Sequence, residues 1–245
     1  MHTVESLQKD LGRLGVDPSG ALLVHVSCKT IGEVDGRGDA VLDALSAHMA
    51  GGLLMLPGHT WAAVNDTHPV MDARTTPSCV GVLPELFRRR PGVCRSLHPT
   101  HSLCGLGRGA GRFLAGDERA DTPCGFGTAY RRLYEQRGQI LLIGVGFNRN
   151  TYIHGVEEWY DVPNRLEEKL KPLFVMDFGG VTRFTPQHRH SYNSETGPFR
   201  AEAAMIAAGA ATQGRLGDAD CLLCDARKLS DGLGEMIRAG AFDSR

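Results

Sequence analysis

The stretch GQILLIGVGFNRNTYIHGVEE, residues 138–158, limits what this chain can fold into more than any other. Ile140, Leu141, Leu142 and Ile143 are apolar at every position, so no alternation reserves one side for water. Such a run reads as a strand buried on both faces of a sheet, the situation of parallel strands covered by helices. It breaks at Gly144-Val145-Gly146 and then presents Asn148, Thr151, His154, Glu157 and Glu158 within eleven residues. Polar groups just past the carboxyl end of a buried strand sit where open α/β sheets bind ligands. A site is therefore expected here.

The rest of the chain reads as strand and helix units around this run. Val4, Leu7, Leu11 and Leu14 have helical spacing, closed by Gly15-Val16-Asp17-Pro18. ALLVHV at 21–26 predicts a second buried strand, followed by a small-polar loop and a helix with Val41, Leu42, Leu45 and Met49 on one face. Residues 52–57 predict a third strand, whose exit GHTWAAVNDTHP is a long polar loop of the kind that is usually functional or mobile. Val82, Leu83, Leu86 and Phe87 suggest a short helix face. Gly125 and Gly127 precede a helix from near Ala129, where backbone N–H groups could meet an anion. Residues 157–191 read as a helix, a proline break and a hairpin turning at Gly179-Gly180. Residues 199–211 read as an alanine-rich helix, GDADCLLCDARKL as a short strand or helix entry, and a last helix is expected from about Asp231. With no repeat, linker or low-complexity tract, one domain over residues 1–245 with loop insertions is expected.

Charge and cysteine usage exclude some classes. The formal net charge of −1 gives no general attraction to nucleic acid or an anionic membrane, so an anionic ligand must be held by local groups. The seven cysteines are odd in number and lack the dense spacing of a disulfide framework, which fits a reducing cytoplasm. The opening MHTVESLQKDLGRLG has no apolar h-region, and no segment approaches the ~20 apolar residues of a membrane span.

His154 and Glu157 have the spacing H-x-x-E. On a helix starting near Asn150 they share a face, so the carboxylate can orient the imidazole and raise its basicity. The same pattern also describes a surface helix with a histidine beside two acids. His98-Pro99, His101 and Ser102, like His59-Thr60, either line a cleft or form ordinary turns. His188 and His190 alternate onto one side of a strand, as half a metal site or a plain strand edge. Cys221 and Cys224 have C-x-x-C spacing but no second pair, and read as buried thiols. A metal-dependent hydrolase using His154, Glu158, His188 and His190 with a water nucleophile stays open as an alternative.

Four stretches, in order and spacing, resemble the aminoglycoside 3-N-acetyltransferase family over roughly residues 20–230: LLVHVSCKTIGEVDG, TPSCVGVLPELFRRRPGVCRSLHPTHSLCGLG, TPCGFGTAYRRLYEQRGQILLIGVGFNRNTYIHGVEE and GRLGDADCLLCDARKL. The resemblance implies a three-layer α/β/α sandwich around a mixed, largely parallel sheet. It also implies transfer of an acetyl group from acetyl-CoA, a co-substrate, to an amine of an aminoglycoside or related amino compound, with no metal, the chemistry of antibiotic resistance. His154 falls on the family's T-x-x-H segment, with Glu157 after it, and takes the general-base role. Ser27, Cys28 and Lys29 fall along the CoA arm, with Thr76 and Ser78 beside them. His98 and Ser102 fall on H-P-x-x-S, and Gly125 and Gly127 on P-x-G-x-G. Where the family often has an aspartate, this chain has Asn148, which can orient a group but adds no negative charge. Asp66, Asp72, Glu157, Glu158 and Asp161 are available for a cationic acceptor. The expected partners are this amine and coenzyme A, with a homodimer allowed and neither nucleic acid nor membrane.

Overall fold

The computed structural model describes residues 1–191 and 200–241. Helix α1, Val4–Leu14, is capped by Thr3, whose hydroxyl accepts the Ser6 N–H while the Ser6 hydroxyl accepts the Thr3 N–H. Strand β1, Ala21–Val26, helix α2, Arg37–His48, strand β2, Leu53–Pro57, and short strand β3, Val70–Asp72, follow. Helix α3, Val82–Arg88, leads to β4, Cys94–Arg95, and β5, Leu103–Gly107. Helices α4, Ala110–Leu114, and α5, Ala129–Glu135, precede β6, Gln139–Ile143, and α6, Thr151–Trp159. Four strands come next: β7, Leu166–Lys171, β8, Phe174–Met176, β9, Thr182–Phe184, and β10, Gln187–His190. The last elements are α7, Glu202–Ala207, β11, Ala211–Leu216, β12, Ala219–Asp225, and α8, Ala226–Arg238.

Seven strands form one sheet in the order β11-β12-β6-β1-β2-β5-β4. Its centre, β6-β1-β2, is parallel, and its flanks are antiparallel. The apolar run occupies that centre and is divided between the faces by strand alternation. Ile140 and Leu142 enter a core covered by Phe113 of α4, Tyr130 of α5, Val156 of α6 and Leu229 of α8. Leu141 and Ile143 enter a second core with Leu7 of α1, Leu45 of α2 and Phe87 of α3. The result is the expected α/β/α sandwich. Cys221 and Cys224 fall in opposite cores, so their C-x-x-C spacing cannot close on an ion.

Several local expectations change. The segment after α6 makes β7, which pairs antiparallel with β10, while β8 and β9 form the hairpin containing Gly179-Gly180. The helix expected over 199–211 starts outside the described residues; within them α7 ends at Ala207, and Ala211 already belongs to β11. The last helix begins at Ala226 rather than near Asp231, because the Asp225 carboxylate caps it by accepting the Lys228 N–H. Val82 is 59% exposed, leaving Leu83, Pro84 and Phe87 as the buried face of α3. No helix among the described residues is long and apolar enough to cross a membrane.

The chain leaves β6 through Gly144, whose φ of 62° lies in the left-handed region and whose absent Cβ makes room for the Thr30 side chain. Gly144→Ala is expected to cost about 1–3 kcal/mol through backbone strain, and Leu142→Ala about 2–5 kcal/mol through the cavity it leaves. Urea denaturation measures both. An unchanged midpoint for either would contradict this packing.

Candidate active site

A cleft of about 730 Å³ opens at the carboxyl ends of the three parallel strands. Strand β1 and its exit contribute His25, Val26 and Ser27, the exit of β2 contributes His59, and the exit of β6 contributes Asn148 and Arg149. The crossovers leaving β1 and entering β6 cover opposite faces, α2 on one and α5 on the other. A crevice between the two strands follows from that reversal.

Asn150 starts α6 with its side-chain oxygen accepting the Tyr152 N–H at 3.2 Å. This puts His154 on the first turn and Glu157 directly beneath it. His154 Nδ1 lies 2.9 Å from Glu157 Oε2; the histidine side chain is 25% exposed and the carboxylate is fully buried. A buried carboxylate at Nδ1 holds the proton there and leaves Nε2 as the basic nitrogen. Arg165, which follows α6, joins the pair. Its Nη1 is 3.1 Å from Glu157 Oε2 and 3.2 Å from His154 Nδ1.

Four imidazoles line the floor in series. Ring centroids are 4.9 Å apart for His154 and His190, 4.9 Å for His190 and His101, and 4.7 Å for His101 and His59. His59 Nε2 lies 2.7 Å from the buried Tyr130 hydroxyl. Burial pushes His59, His101 and His190 well below the ordinary histidine range and His25 down to about 3, so these rings are neutral. Among the described residues, His25 Nε2 meets no partner. Behind His190, Glu158 Oε1 is 2.6 Å from His190 Nε2, and burial lifts the Glu158 carboxyl to about 8. Burial disfavours charge on both groups, so a neutral acid and a neutral imidazole share one proton.

The structure gathers His154, Glu157, Asn148 and Ser27 at the cleft and sends other expected residues elsewhere. Cys28 faces a separate cavity of about 240 Å³, and Lys29 is exposed. Ser102 and Thr76 serve a buried cation instead of a ligand. Arg95 donates to the Ser102 hydroxyl at 3.0 Å, the Thr76 carbonyl at 2.6 Å and the Gly58 carbonyl at 2.7 Å. Ser78 is tied by its N–H to Glu85 Oε2 at 2.8 Å, while its neighbours Cys79 and Val80 line the cleft. His98 is buried scaffold, since its Nδ1 accepts the Thr100 and His101 N–H groups. Thr100 and His101 line the cleft in its place.

Gly125 and Gly127 lead into α5, whose start already meets an acidic group of the chain. The chain's own Asp117 carboxylate accepts the Ala129 N–H there at 2.9 Å and pairs with Arg132. The expected acceptor carboxylates are also displaced. Asp66 pairs with Lys171 at 2.8 Å, Asp72 accepts the Arg74 N–H at 2.8 Å, Asp161 is exposed, and Glu158 is buried behind His190. Among the described residues, the lining holds Arg149, Arg165 and Arg189 and no carboxylate. Arg165 and His25 carry no sequence signature. Only the contacts between β1, α6 and the β7–β10 pair reveal them.

One set of metal-ligating atoms converges among the described residues: Cys124, Glu158 and His190 atoms lie within 4.8 Å of one another. It includes neither His154 nor His188. A β-bulge between His188 and His190 breaks their alternation, and His188 Nδ1 turns to the Glu167 carbonyl at 2.9 Å. The four-residue constellation of the hydrolase alternative is therefore not assembled.

Residues 23–238 match the family model described as aminoglycoside 3-N-acetyltransferase. The chain is 30% identical to aminoglycoside N(3)-acetyltransferase VII of Streptomyces paromomycinus, over 92% of this chain and 88% of that protein. Its fold is similar to that of AAC-IIIb in a binary complex with CoASH, with a TM-score of 0.83, 25% identity and coverage of 100% of this chain and 98% of the other. It is also similar to a mutant of aminoglycoside acetyltransferase AAC(3)-IVa in complex with a gentamicin, with a TM-score of 0.82, 26% identity and coverage of 96% and 88%.

The buried groups set a pH dependence. His25, His59, His98, His101 and His190 all bind protons less readily when folded, so their contribution is present above about pH 6.5 and lost as pH falls. Glu158 acts oppositely: its raised value favours the fold in acid, and that contribution is lost as pH rises from the ordinary 4.5 toward about 8. Urea denaturation from about pH 5 to 9 should show Glu158→Gln gaining stability relative to the parent as pH rises. Parallel curves would contradict the assignment.

Proposed function

The chain belongs to the aminoglycoside 3-N-acetyltransferase family, and from that membership and the cleft we propose that it transfers the acetyl group of acetyl-CoA to an amine of an aminoglycoside or related amino compound. The observation that carries the chemistry is His154 at the cleft with Glu157 2.9 Å behind its Nδ1.

An alkyl ammonium must lose a proton before its nitrogen can attack a thioester. His154 Nε2 takes that proton, the amine adds to the carbonyl carbon, and collapse of the tetrahedral adduct breaks the C–S bond. The proton on His154 then neutralises the departing CoA thiolate, and the attacking nitrogen releases its second proton to solvent as the amide forms. General-base assistance of this kind is worth ~10²–10⁴-fold.

The developing oxyanion needs donors fixed in advance. The N–H groups of Gly144 and Phe147 are already given to the Asp220 carbonyl and the Glu202 carboxylate, at 2.8 and 2.9 Å. Thr76 and Ser78, which the resemblance places beside the CoA arm, stand outside the lining. The Asn148 amide and the Ser27 hydroxyl line the cleft and take this role. Arg149 and Arg189 supply cations to the phosphates of CoA. Direct transfer between bound substrates suits the cysteines better than an acyl-enzyme, since burial raises the Cys79, Cys104 and Cys124 thiols above their ordinary range.

His154→Ala is expected to lower kcat/KM for acetyl-CoA-dependent acetylation by ~10²–10⁴-fold while acetyl-CoA binding, followed by calorimetry, is retained. Thiol release on a panel of aminoglycosides, amino sugars and simple amines provides the assay. Unchanged turnover of every active acceptor would overturn the role given to His154.

A further inference from the structure

Arg165 approaches the His154–Glu157 pair from outside α6, and its position is fixed by the fold. The residue is 5% exposed. Its carbonyl accepts the Ser191 N–H at 2.9 Å, and its Nη2 donates to the Ser191 carbonyl at 2.7 Å, a two-way clamp between the α6–β7 connection and the end of β10. The guanidinium is thus held by contacts within the chain.

Three atoms meet at the pair. Glu157 Oε2 is 2.9 Å and Arg165 Nη1 is 3.2 Å from His154 Nδ1, and Oε2 and Nη1 are 3.1 Å apart. Nδ1 has a single in-plane bonding direction. A guanidinium only donates, so two arrangements exist. If Nη1 donates to Nδ1, the ring proton must sit on Nε2, and the ring cannot accept a proton from an amine. If Nη1 donates to Oε2, the carboxylate oxygen also accepts Nδ1–H, and Nε2 keeps its lone pair. The 2.9 Å contact between Nδ1 and the carboxylate selects the second arrangement, because in the first two lone pairs would face each other there.

The charges matter as much as the hydrogen bonds. A fully buried carboxylate acting alone on an imidazole stabilises the imidazolium, the form that cannot serve as a base. A guanidinium at nearly the same distance opposes it. Among the described residues, the other groups facing His154 include His190 on β10, His25 on β1, and His59 and His101 on the loops after β2 and before β5. Those four rings are neutral through burial, so within this set the charge acting on His154 comes from Glu157 and Arg165.

We infer that Arg165 is a positioning residue that keeps His154 a neutral imidazole with its proton on Nδ1, by sharing Glu157 Oε2 with it. This rests on the reading of His154 as the base. Its test therefore includes a readout that needs no turnover.

Imidazole ¹⁵N shifts in histidine-labelled protein, with His154 assigned by the spectrum of His154→Ala, give tautomer and titration midpoint directly. In the unaltered protein the Nδ1–H tautomer is expected; the Nε2–H tautomer would overturn the inference with no Arg165 variant required. In Arg165→Gln the His154 midpoint is expected to rise, because the carboxylate then acts unopposed, and Arg165→Lys should restore it. The acid limb of kcat/KM should move upward with it in Arg165→Gln, with little change in KM at alkaline pH. A folded Arg165→Gln protein with an unmoved His154 midpoint would overturn the inference. A moved midpoint with an unmoved kinetic limb would leave the tuning intact and remove His154 from the base role.

Discussion

Burial of β6 on both faces is the constraint on which the rest depends. Because Ile140 and Leu142 fill one core while Leu141 and Ile143 fill the other, the strand must lie inside the sheet with helices above and below it. Its parallel pairing with β1, from Leu22 opposite Gln139 to Val26 opposite Ile143, brings the carboxyl ends of both strands to one level. The Ser27 N–H then bonds to the Ile143 carbonyl at 2.9 Å, which joins the two loops that leave the sheet. The cleft is the space those loops enclose. A rigid sheet beneath it supplies the precision that loops alone lack.

Within that space charge is concentrated. The imidazoles of His25, His59, His101 and His190 are neutral because burial denies them hydration, and the Glu158 carboxyl is lifted for the same reason. Glu157 stays fully buried beside Arg165, the pairing that makes a buried carboxylate tolerable. The partly exposed imidazole of the row, His154, has an anion, Glu157, and a cation, Arg165, behind it. Arg149 and Arg189 make the described lining cationic, and under the proposed acetyl transfer they are the groups that would meet the phosphates of CoA.

Local patterns in the chain reach the centre of this arrangement and stop short of its periphery. The all-apolar run, the glycine break and the H-x-x-E spacing place β6, α6, His154 and Glu157 because each depends only on neighbours in sequence. Arg165 and His190 arrive through the β7–β10 pairing, and a bulge between His188 and His190 defeats the alternation that would have grouped those two histidines. The H-P-x-x-S segment marks a loop that lines the cleft through Thr100 and His101, while His98 and Ser102 turn inward to satisfy backbone groups and Arg95. At Gly125 and Gly127 the chain supplies its own anion, Asp117, from a remote loop. Asp66 lies in a polar loop and Asp72 ends β3, and nothing in their spacing reveals that Lys171 and backbone N–H groups hold them away from the cleft.

A crystal structure of the protein with a non-transferable acetyl-CoA analogue and an aminoglycoside acceptor tests the central claim most directly. General-base transfer by His154 predicts an acceptor amine nitrogen about 2.6–3.2 Å from His154 Nε2, facing the acyl carbon. An acceptor whose reacting amine lies out of reach of His154, beside a different base, would contradict it.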